Sequence, residues 1–501
     1  MVFLLGVINL VMVDLKSMNK NIITLLWNDK ALTVINSNSK IENALQYTHK
    51  SLEYDEYSKR RKVKYTKTNT FIENSIAIAG LRTIVTYQGF LNDVLNICIK
   101  ENFKFKFFDN RSYFPKPELN RMSGFIHSQK ELLTEFLNKN KSGIFCAPTR
   151  WGKSRIIINA IKAFPNLQTV VTAPGVDLLE QLRQELTEHL PNREIKGIYS
   201  GSKGKKQSDD VTLVSMDSLH YCNFETTKLL LCDEPHTAVT SGRVPQINKF
   251  ENARRLAFGA TPDGRFDNSD CLIKGTFGPV LVERTYKEAV KEGAILQIKV
   301  FMIKIKFEPF NIKTRDSAYN RLLLKNQDIN NLIKNISENV IPKDWQTLIF
   351  IKNEKQAEAM SQTIPESKIG MAKKVNKKER NELFQEIKEN KLTRCVCSNI
   401  YSTGVTFPDL RCIVNCEGGG GSISSTQKPG RLAQKRPNKN FGYLFDLYFE
   451  PNDNNITKTS HPKNMNQWWS LVDDSKNRLK TYQNKGYDVE FVDNLNEINL
   501  V

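Results

Sequence analysis

The sequence predicts an α/β protein: two tandem lobes, each built on a parallel sheet, preceded by a small α+β accessory region. The first lobe follows from Gly143 to Ala260, where short, mainly apolar runs (GIFC, LQTVVTA, VTLVS, KLLLC, RRLAFGA) alternate with helical patterns such as SRIIINAIKAF and LLEQLRQELTEHL. Strands that are apolar on both faces and separated by helices belong to a parallel sheet covered on both sides. A second series of the same plan starts near Trp345 with TLIFI and runs through KQAEAM, ERNELFQEI, TRCVCS and RCIVNC to FGYLFDLYF. The accessory region is read from IITLLW and FKFKFF, strand-like ends that bracket a helical FLNDVLNICIKENF.

These patterns set the expected boundaries: residues 1–112 accessory, 113–300 first lobe, 301–450 second lobe, 451–501 a linker and tail. Between the lobes, KVFMIKIKF alternates like a strand and DSAYNRLLLKNQDINNLIKNISENVI has helical spacing, so the join is structured. Residues 200–210 and 451–466 are polar and rich in Gly, Lys or Asn, as exposed loops are. Residues 1–17 are apolar for only about a dozen positions and lack a basic flank, which fits neither a signal peptide nor a membrane span. The expectation is an upstream extension, or a misassigned start, of a cytoplasmic, monomeric protein.

With 501 residues, 40% of them hydrophobic, the chain is large enough for two or three separate cores. Its 73 basic and 54 acidic residues leave a net charge of +19, which points to a polyanionic partner, nucleic acid before membrane. In the accessory region Arg60, Arg61 and Lys64 are interleaved with Tyr57 and Tyr65, a pattern suited to phosphate contact with stacking; a solvated charged strand is the equal alternative. The nine cysteines include no CxxC pair. Cys395, Cys397, Cys412 and Cys416 follow strand alternation and not zinc-ligand spacing, so buried thiols in a reducing compartment are expected.

The chemistry starts at APTRWGKS, Ala147 to Ser154, between a strand and a helix. A turn there presents successive backbone N–H groups at a helix N-terminus, where they cradle a β-phosphate. Thr149, Arg150, Trp151 and Gly152 form the turn, Lys153 reaches the β- and γ-phosphates, and Ser154 offers a hydroxyl to Mg²⁺; alanine stands where the first glycine is usual. Some eighty residues on, KLLLCDEPH puts Asp233 and Glu234 at the carboxyl end of an apolar strand, where open parallel sheets bind their ligands. Asp233 suits Mg²⁺, and Glu234 suits orienting and deprotonating an attacking water. His236 is placed to relay nucleotide state.

APTRWGKS, DEPH, FGAT (Phe258 to Thr261) and QKPGR (Gln427 to Arg431), in that order, resemble motifs I, II, III and VI of superfamily 2 helicases and translocases. The resemblance implies two RecA-like lobes and hydrolysis of ATP with Mg²⁺. It implies that Gln129 reads adenine, that Gly259 and Thr261 couple hydrolysis to movement of the strand, and that Gln427 and Arg431 meet the nucleotide. It further implies a track of nucleic-acid phosphates along motifs Ia, Ib, IV and V, represented by Pro174, Gly175, Ser215, Ile351 and Thr403. Thr406 in STGVTFPDL, the basic accessory region and the closing RLKTYQNKGYDVEFV resemble phage UvsW-type helicases, which act on branched DNA in replication, recombination and repair. The expected partner is therefore duplex or branched DNA. An RNA track and an ATP-gated clamp with little hydrolysis are the alternatives.

Two departures stand out. Pro235 removes one backbone N–H from motif II but leaves both carboxylates. Gln434 stands where the family carries its second arginine, a finger whose loss costs about 10³ to 10⁵ in rate. The expected remedy is Lys435 or Arg436 swinging in from the next turn; without one, the clamp reading gains.

Overall fold

The computed structural model describes residues 21–55, 60–78, 81–199, 206–240, 242–260, 265, 267–364, 366–370, 377–398, 407, 409–453 and 455–500. The chain divides into two units: residues up to Cys146 with Ser154–Glu283, and Ala147–Lys153 with Arg284–Val501. The expected extension at 1–17 lies outside the described residues.

The first unit opens with seven strands: β1 Ile23–Trp27, β2 Ala31–Ile35, β3 Gln46–Asp55, β4 Arg60–Asn69, β5 Phe71–Ile78, β6 Leu81–Tyr87 and β7 Phe105–Asp109. Five form a mixed sheet ordered β5-β6-β2-β1-β7, while β3 and β4 pair with each other as a two-stranded antiparallel ribbon. Leu25, Leu32, Val34 and Ile84 project from the sheet onto Val94 and Cys98 of the helix Leu91–Lys100, whose apolar positions recur at helical spacing. This layer sits tightly on the helix Asp270–Phe277 of the same unit. A Cβ on Gly89 would lie 1.8 Å from the Lys274 carbonyl oxygen, and Lys274 Nζ donates to Asp93 Oδ1 at 2.6 Å.

The rest of the unit is an all-parallel sheet of β8 Gly143–Cys146, β9 Thr169–Ala173, β10 Ile195–Ile198, β11 Val211–Ser215, β12 Leu229–Asp233, β13 Arg254–Gly259 and β14 Val280–Glu283. Its order is β10-β11-β9-β12-β13-β8-β14. β8, β9 and β13 are buried at every residue, as their mainly apolar sequences require. Register brings three carboxyl ends side by side: Asp233 pairs with Phe258, and Gly259 with Cys146.

The second unit repeats the plan with β15 Gln297–Phe307, β16 Gln346–Phe350, β17 Ser367–Gly370, β18 Arg394–Cys397, β19 Leu410–Asn415, β20 Phe441–Pro451 and β21 Asp488–Val492, ordered β17-β18-β16-β19-β20-β15-β21 and again all parallel. Cys395, Cys397, Cys412 and Cys416 are buried free thiols on or beside β18 and β19.

The stretch 451–501, expected as a linker and tail, differs from that expectation. It supplies the helix Trp469–Lys485 and the edge strand β21, and Trp468 is fully buried in the core. The reason is a buried ion pair: Arg478 Nε donates to Asp446 Oδ2 at 2.8 Å and Nη2 to the Leu447 carbonyl at 2.7 Å, with Tyr482 Oη 2.7 Å from the same carboxylate. Burial pulls the Arg478 pKa down, and the Asp446 carboxylate more than offsets it. Arg478 also donates to the Gly419 carbonyl at 3.1 Å, and a Cβ on Gly420 would lie 2.8 Å from Asp474 Cα. Gly420 of EGGGG therefore makes room for this helix.

Candidate functional site

In the first unit, Asp233 ends β12 and Glu234 follows in the left-handed region, φ 53°, its N–H donated to the Phe258 carbonyl at 2.8 Å. That conformation starts a tight turn over Pro235–Thr237, and Thr237 Oγ1 donates to the Glu234 carbonyl at 2.8 Å. Pro235 occupies the first position of this turn, where a missing N–H costs little. His236 is buried with Nδ1 3.5 Å from Glu234 Oε2. Gly259 is needed by contact: a Cβ there would lie 2.9 Å from Pro235 Cδ and 3.9 Å from Glu234 Oε2. Motifs II and III thus meet through a glycine on one strand and a carboxylate on the next.

The loop leaving β8 contains two residues at positive φ, Arg150 at 71° and Gly152 at 100°. Lys153 and Ser154 begin the helix Lys153–Lys162, at the end where orphan N–H groups and the dipole favour an anion. Within the second unit, Trp151 Nε1 donates to Glu292 Oε1 at 2.6 Å, and a Cβ on Gly430 would lie 2.9 Å from Thr149 Cβ. Gln427 lies in the helix Ser422–Gly430, half-buried, and Arg431 follows it, buried. Burial lowers the Arg431 guanidinium to about 9, with Arg150 adding to the effect, and lowers Arg150 to about 10 with help from Arg436. Packing guanidinium groups this close favours an anion among them.

Gln434 does not replace the arginine it displaces: its Oε1 is buried without a hydrogen bond, and its carbonyl accepts from Lys439 Nζ at 3.2 Å. Of the two candidate substitutes, Lys435 Nζ donates to the Gly293 carbonyl at 2.8 Å. Arg436 has its Nε 4.0 Å from Asp409 Oδ1 and acts electrostatically on Arg150.

Gln129 is the first residue of the helix Gln129–Asn138, buried, its Oε1 accepting from the Ile126 N–H at 3.1 Å. Gly175, φ 84°, caps the helix Val176–His189 with open space around it, beside half-buried Pro174. Ser215 ends β11 and bonds Ser218 Oγ at 2.8 Å. Ile351 is a correction: its side chain is fully buried and its N–H is donated to the Cys397 carbonyl at 2.9 Å, so neither faces a ligand. Thr261, Thr403 and Thr406 lie outside the described residues, as do the side chains of Arg60 and Arg61. Lys64 is exposed on β4, 3.0 Å from Glu53 Oε1. Sequence reasoning missed Glu292, Arg265 and Lys439, which stand in no motif; Glu292 meets Trp151 and Arg265 meets the His236 carbonyl far along the chain.

Residues 123–264 match the family model "Type III restriction enzyme, res subunit", and residues 326–435 match "Helicase conserved C-terminal domain". The chain is 25% identical over 392 residues to "DNA 3'-5' translocase XPB2" of Sulfurisphaera tokodaii, covering 66% of this chain and 87% of that protein. It is 24% identical over 482 residues to "Putative helicase 22" of Sulfolobus islandicus filamentous virus, covering 86% and 80%. To "ATP-dependent DNA helicase uvsW" of Enterobacteria phage T4 it is 22% identical over 345 residues, covering 64% and 67%.

Proposed function

We propose that this chain, a superfamily 2 helicase resembling the UvsW type, hydrolyses ATP to drive movement along duplex or branched DNA. The observation that carries the reading is the side-by-side placement of the ends of β8, β13 and β12, which puts Cys146, the last residue before the phosphate loop, Gly259 and Asp233 at one edge of one parallel sheet. Lys153 neutralises the β- and γ-phosphates, the N–H groups from Thr149 to Ser154 cradle them, Gln129 reads adenine, and Arg431 with Gln427 senses the γ-phosphate. Glu234 orients the attacking water and takes its proton; His236 and Gly259 report the change to the strand-binding surface.

The Ser154 hydroxyl and Asp233 carboxylate are hard oxygen donors, too few for an all-protein cage, which fits a cation that keeps its waters and its phosphate ligands. Among the described residues there is no larger His, Cys, Asp or Glu cluster that could hold a metal. Bound there, Mg²⁺ would neutralise charge developing on the phosphates.

The DNA track is supported by the +19 charge, by exposed basic residues on the β3–β4 ribbon, and by relatives whose names specify DNA. Pro174, Gly175 and Ser215 stand at strand ends suited to backbone contact, as motifs Ia and Ib require. Among the described residues no helix is long and apolar enough to cross a membrane. The test is steady-state ATPase with single-stranded, duplex and forked DNA and with RNA, against Lys153→Ala. Stimulation by forked or duplex DNA that vanishes in the variant is expected. Tight ATP binding without turnover would instead make Gln434 decisive and the chain an ATP-gated clamp.

A further inference from the structure

The β3–β4 ribbon pairs ten residues on each side, from Asp55 opposite Arg60 to Gln46 opposite Asn69, a span of about 33 Å at roughly 3.3 Å per residue. It carries Lys50, Lys62, Lys64 and Lys67, with Tyr65 64% exposed. Partway along β3 it is tied to the body of the unit. Lys50 N–H donates to the Asp267 carbonyl at 3.1 Å, and Asn268 Nδ2 donates to the Thr48 carbonyl at 2.9 Å.

Residues 267 and 268 belong to the segment that follows motif III. The Asp267 carboxylate receives Arg265 as a fork, Nε at 3.0 Å and Nη2 at 2.7 Å, and also accepts from Ser269 Oγ at 2.7 Å. Burial acts to raise the Asp267 pKa, but these bonds outweigh it and hold the group at about 2, so the fork is charged at every assay pH. The remaining arm of Arg265, Nη1, donates to the His236 carbonyl. One guanidinium therefore joins the ribbon's anchor to the turn that carries Glu234. A planar fork held by both Asp267 oxygens, Ser269 Oγ and the His236 carbonyl has little freedom to pivot, unlike an ammonium on a flexible stem.

We propose that Arg265 and Asp267 form a rigid joint through which DNA held on the β3–β4 ribbon acts on the Glu234–His236 turn, so that duplex engagement at the ribbon sets the rate of ATP hydrolysis. The joint rests on the reading of the ribbon as a phosphate-binding element. About 17 Å of the ribbon, the five steps from Lys50 to Asp55 at roughly 3.3 Å each, extends beyond the two hydrogen bonds, which pass displacement at its tip to Asp267 and Asn268. Arg265 is a positioning residue: it touches the backbone of His236 and no reacting atom.

The test uses the full chain with forked duplex DNA and three variants. Asp267→Asn removes the charge that receives the fork. Asn268→Gly removes the ribbon tie while keeping a residue that tolerates the φ of 58° found there; Asn268→Asp, which loses the donor but also tolerates that φ, replaces it if the glycine variant is poorly folded. Lys64→Glu alters the ribbon surface alone. For Asp267→Asn and Asn268→Gly we expect ATPase without DNA and DNA affinity within about twofold of the parent, and DNA stimulation lowered about fivefold or more. Because both breaks lie in one path, the double variant should lose no more than the worse single. Unchanged stimulation, additive losses or an equal fall without DNA would overturn the joint. Lys64→Glu should weaken DNA binding and flatten its salt dependence, with stimulation restored at saturating DNA. If its affinity and salt slope match the parent, the ribbon reading fails and the joint with it; if they change while Asn268→Gly keeps full stimulation, only the joint fails.

Discussion

Replacing Arg478 by alanine tests how the second unit is held together. The side chain is 1% exposed and its carboxylate partner, Asp446, is fully buried. Removing one member of such a pair leaves a charge in a medium that cannot solvate it, which costs about 3–5 kcal/mol. Asp446 retains the Tyr482 hydroxyl at 2.7 Å, the Leu447 N–H at 2.8 Å and Asn415 Nδ2 at 3.1 Å, which argues for the lower part of that range. The Gly419 carbonyl loses the Arg478 donor, at about 1 kcal/mol or more if no water replaces it, while the Leu447 carbonyl keeps Ser475 Oγ at 3.5 Å. The expected destabilisation is about 4 kcal/mol. Urea unfolding followed by tryptophan fluorescence reads it, since Trp345, Trp468 and Trp469 all lie in this unit. The transition of this unit should move to lower urea while that of the first unit stays. Pairing Asp446→Asn with Arg478→Met removes both charges and should recover at least half of the loss. A single variant within about 1 kcal/mol of the parent, or a double variant no better than the single, would refute the reasoning.

Other outcomes follow from the site. Glu234→Gln should abolish turnover while leaving ATP binding within about threefold, as expected of a group that acts on the water and not on the nucleotide, measured by steady-state hydrolysis beside equilibrium binding. Gly259→Ala forces a methyl against the Pro235 ring at 2.9 Å; about a tenfold fall in ATPase is expected, with melting temperature lowered by only a few degrees. For the thiols, eight of the nine cysteines are buried and Cys271 is half-buried, so a disulfide-exchange reagent should label at most one in the native protein and nine in denaturant. Burial, with Asp270 adding to it, raises Cys271 to about 11. A raised thiol pKa means less thiolate at neutral pH and a labelling rate that keeps climbing through pH 10, where an ordinary cysteine levels off near about 8.5; an early plateau would contradict it.

Much of this architecture was legible because parallel strands buried on both faces leave a mainly apolar run, and the runs ending in Asp233, Gly259 and Cys146 are of that kind. The phosphate loop and the acid pair could be placed because both stand immediately after such strands. What escaped depended on partners far along the chain. RLKTYQNKGYDVEFV reads as an amphipathic helix and a short strand, but nothing local says that Arg478 is balanced by Asp446, so it was expected as a tail. Ile351 took a nucleic-acid role from motif order alone, and only the sheet shows its N–H bonded to Cys397. The basic run at Arg60 to Lys67 is visible as charge, yet its antiparallel partner begins at Gln46 and its anchor at Asp267, more than two hundred residues away from the first.

The order of strands in the second sheet also bears on how the chain is made. β15 pairs with β20 over eleven residues and with β21 on its other side, although β20 begins at Phe441 and β21 at Asp488. A nascent chain that has emerged only as far as β19 therefore holds β15 with both backbone edges open, a hydrophobic strand QIKVFMIKIKF with nothing to pair with in its own sheet. Synthesis stalled or terminated before Val492 would present that strand to other polypeptides, and a ribosome-bound chaperone would find its target there.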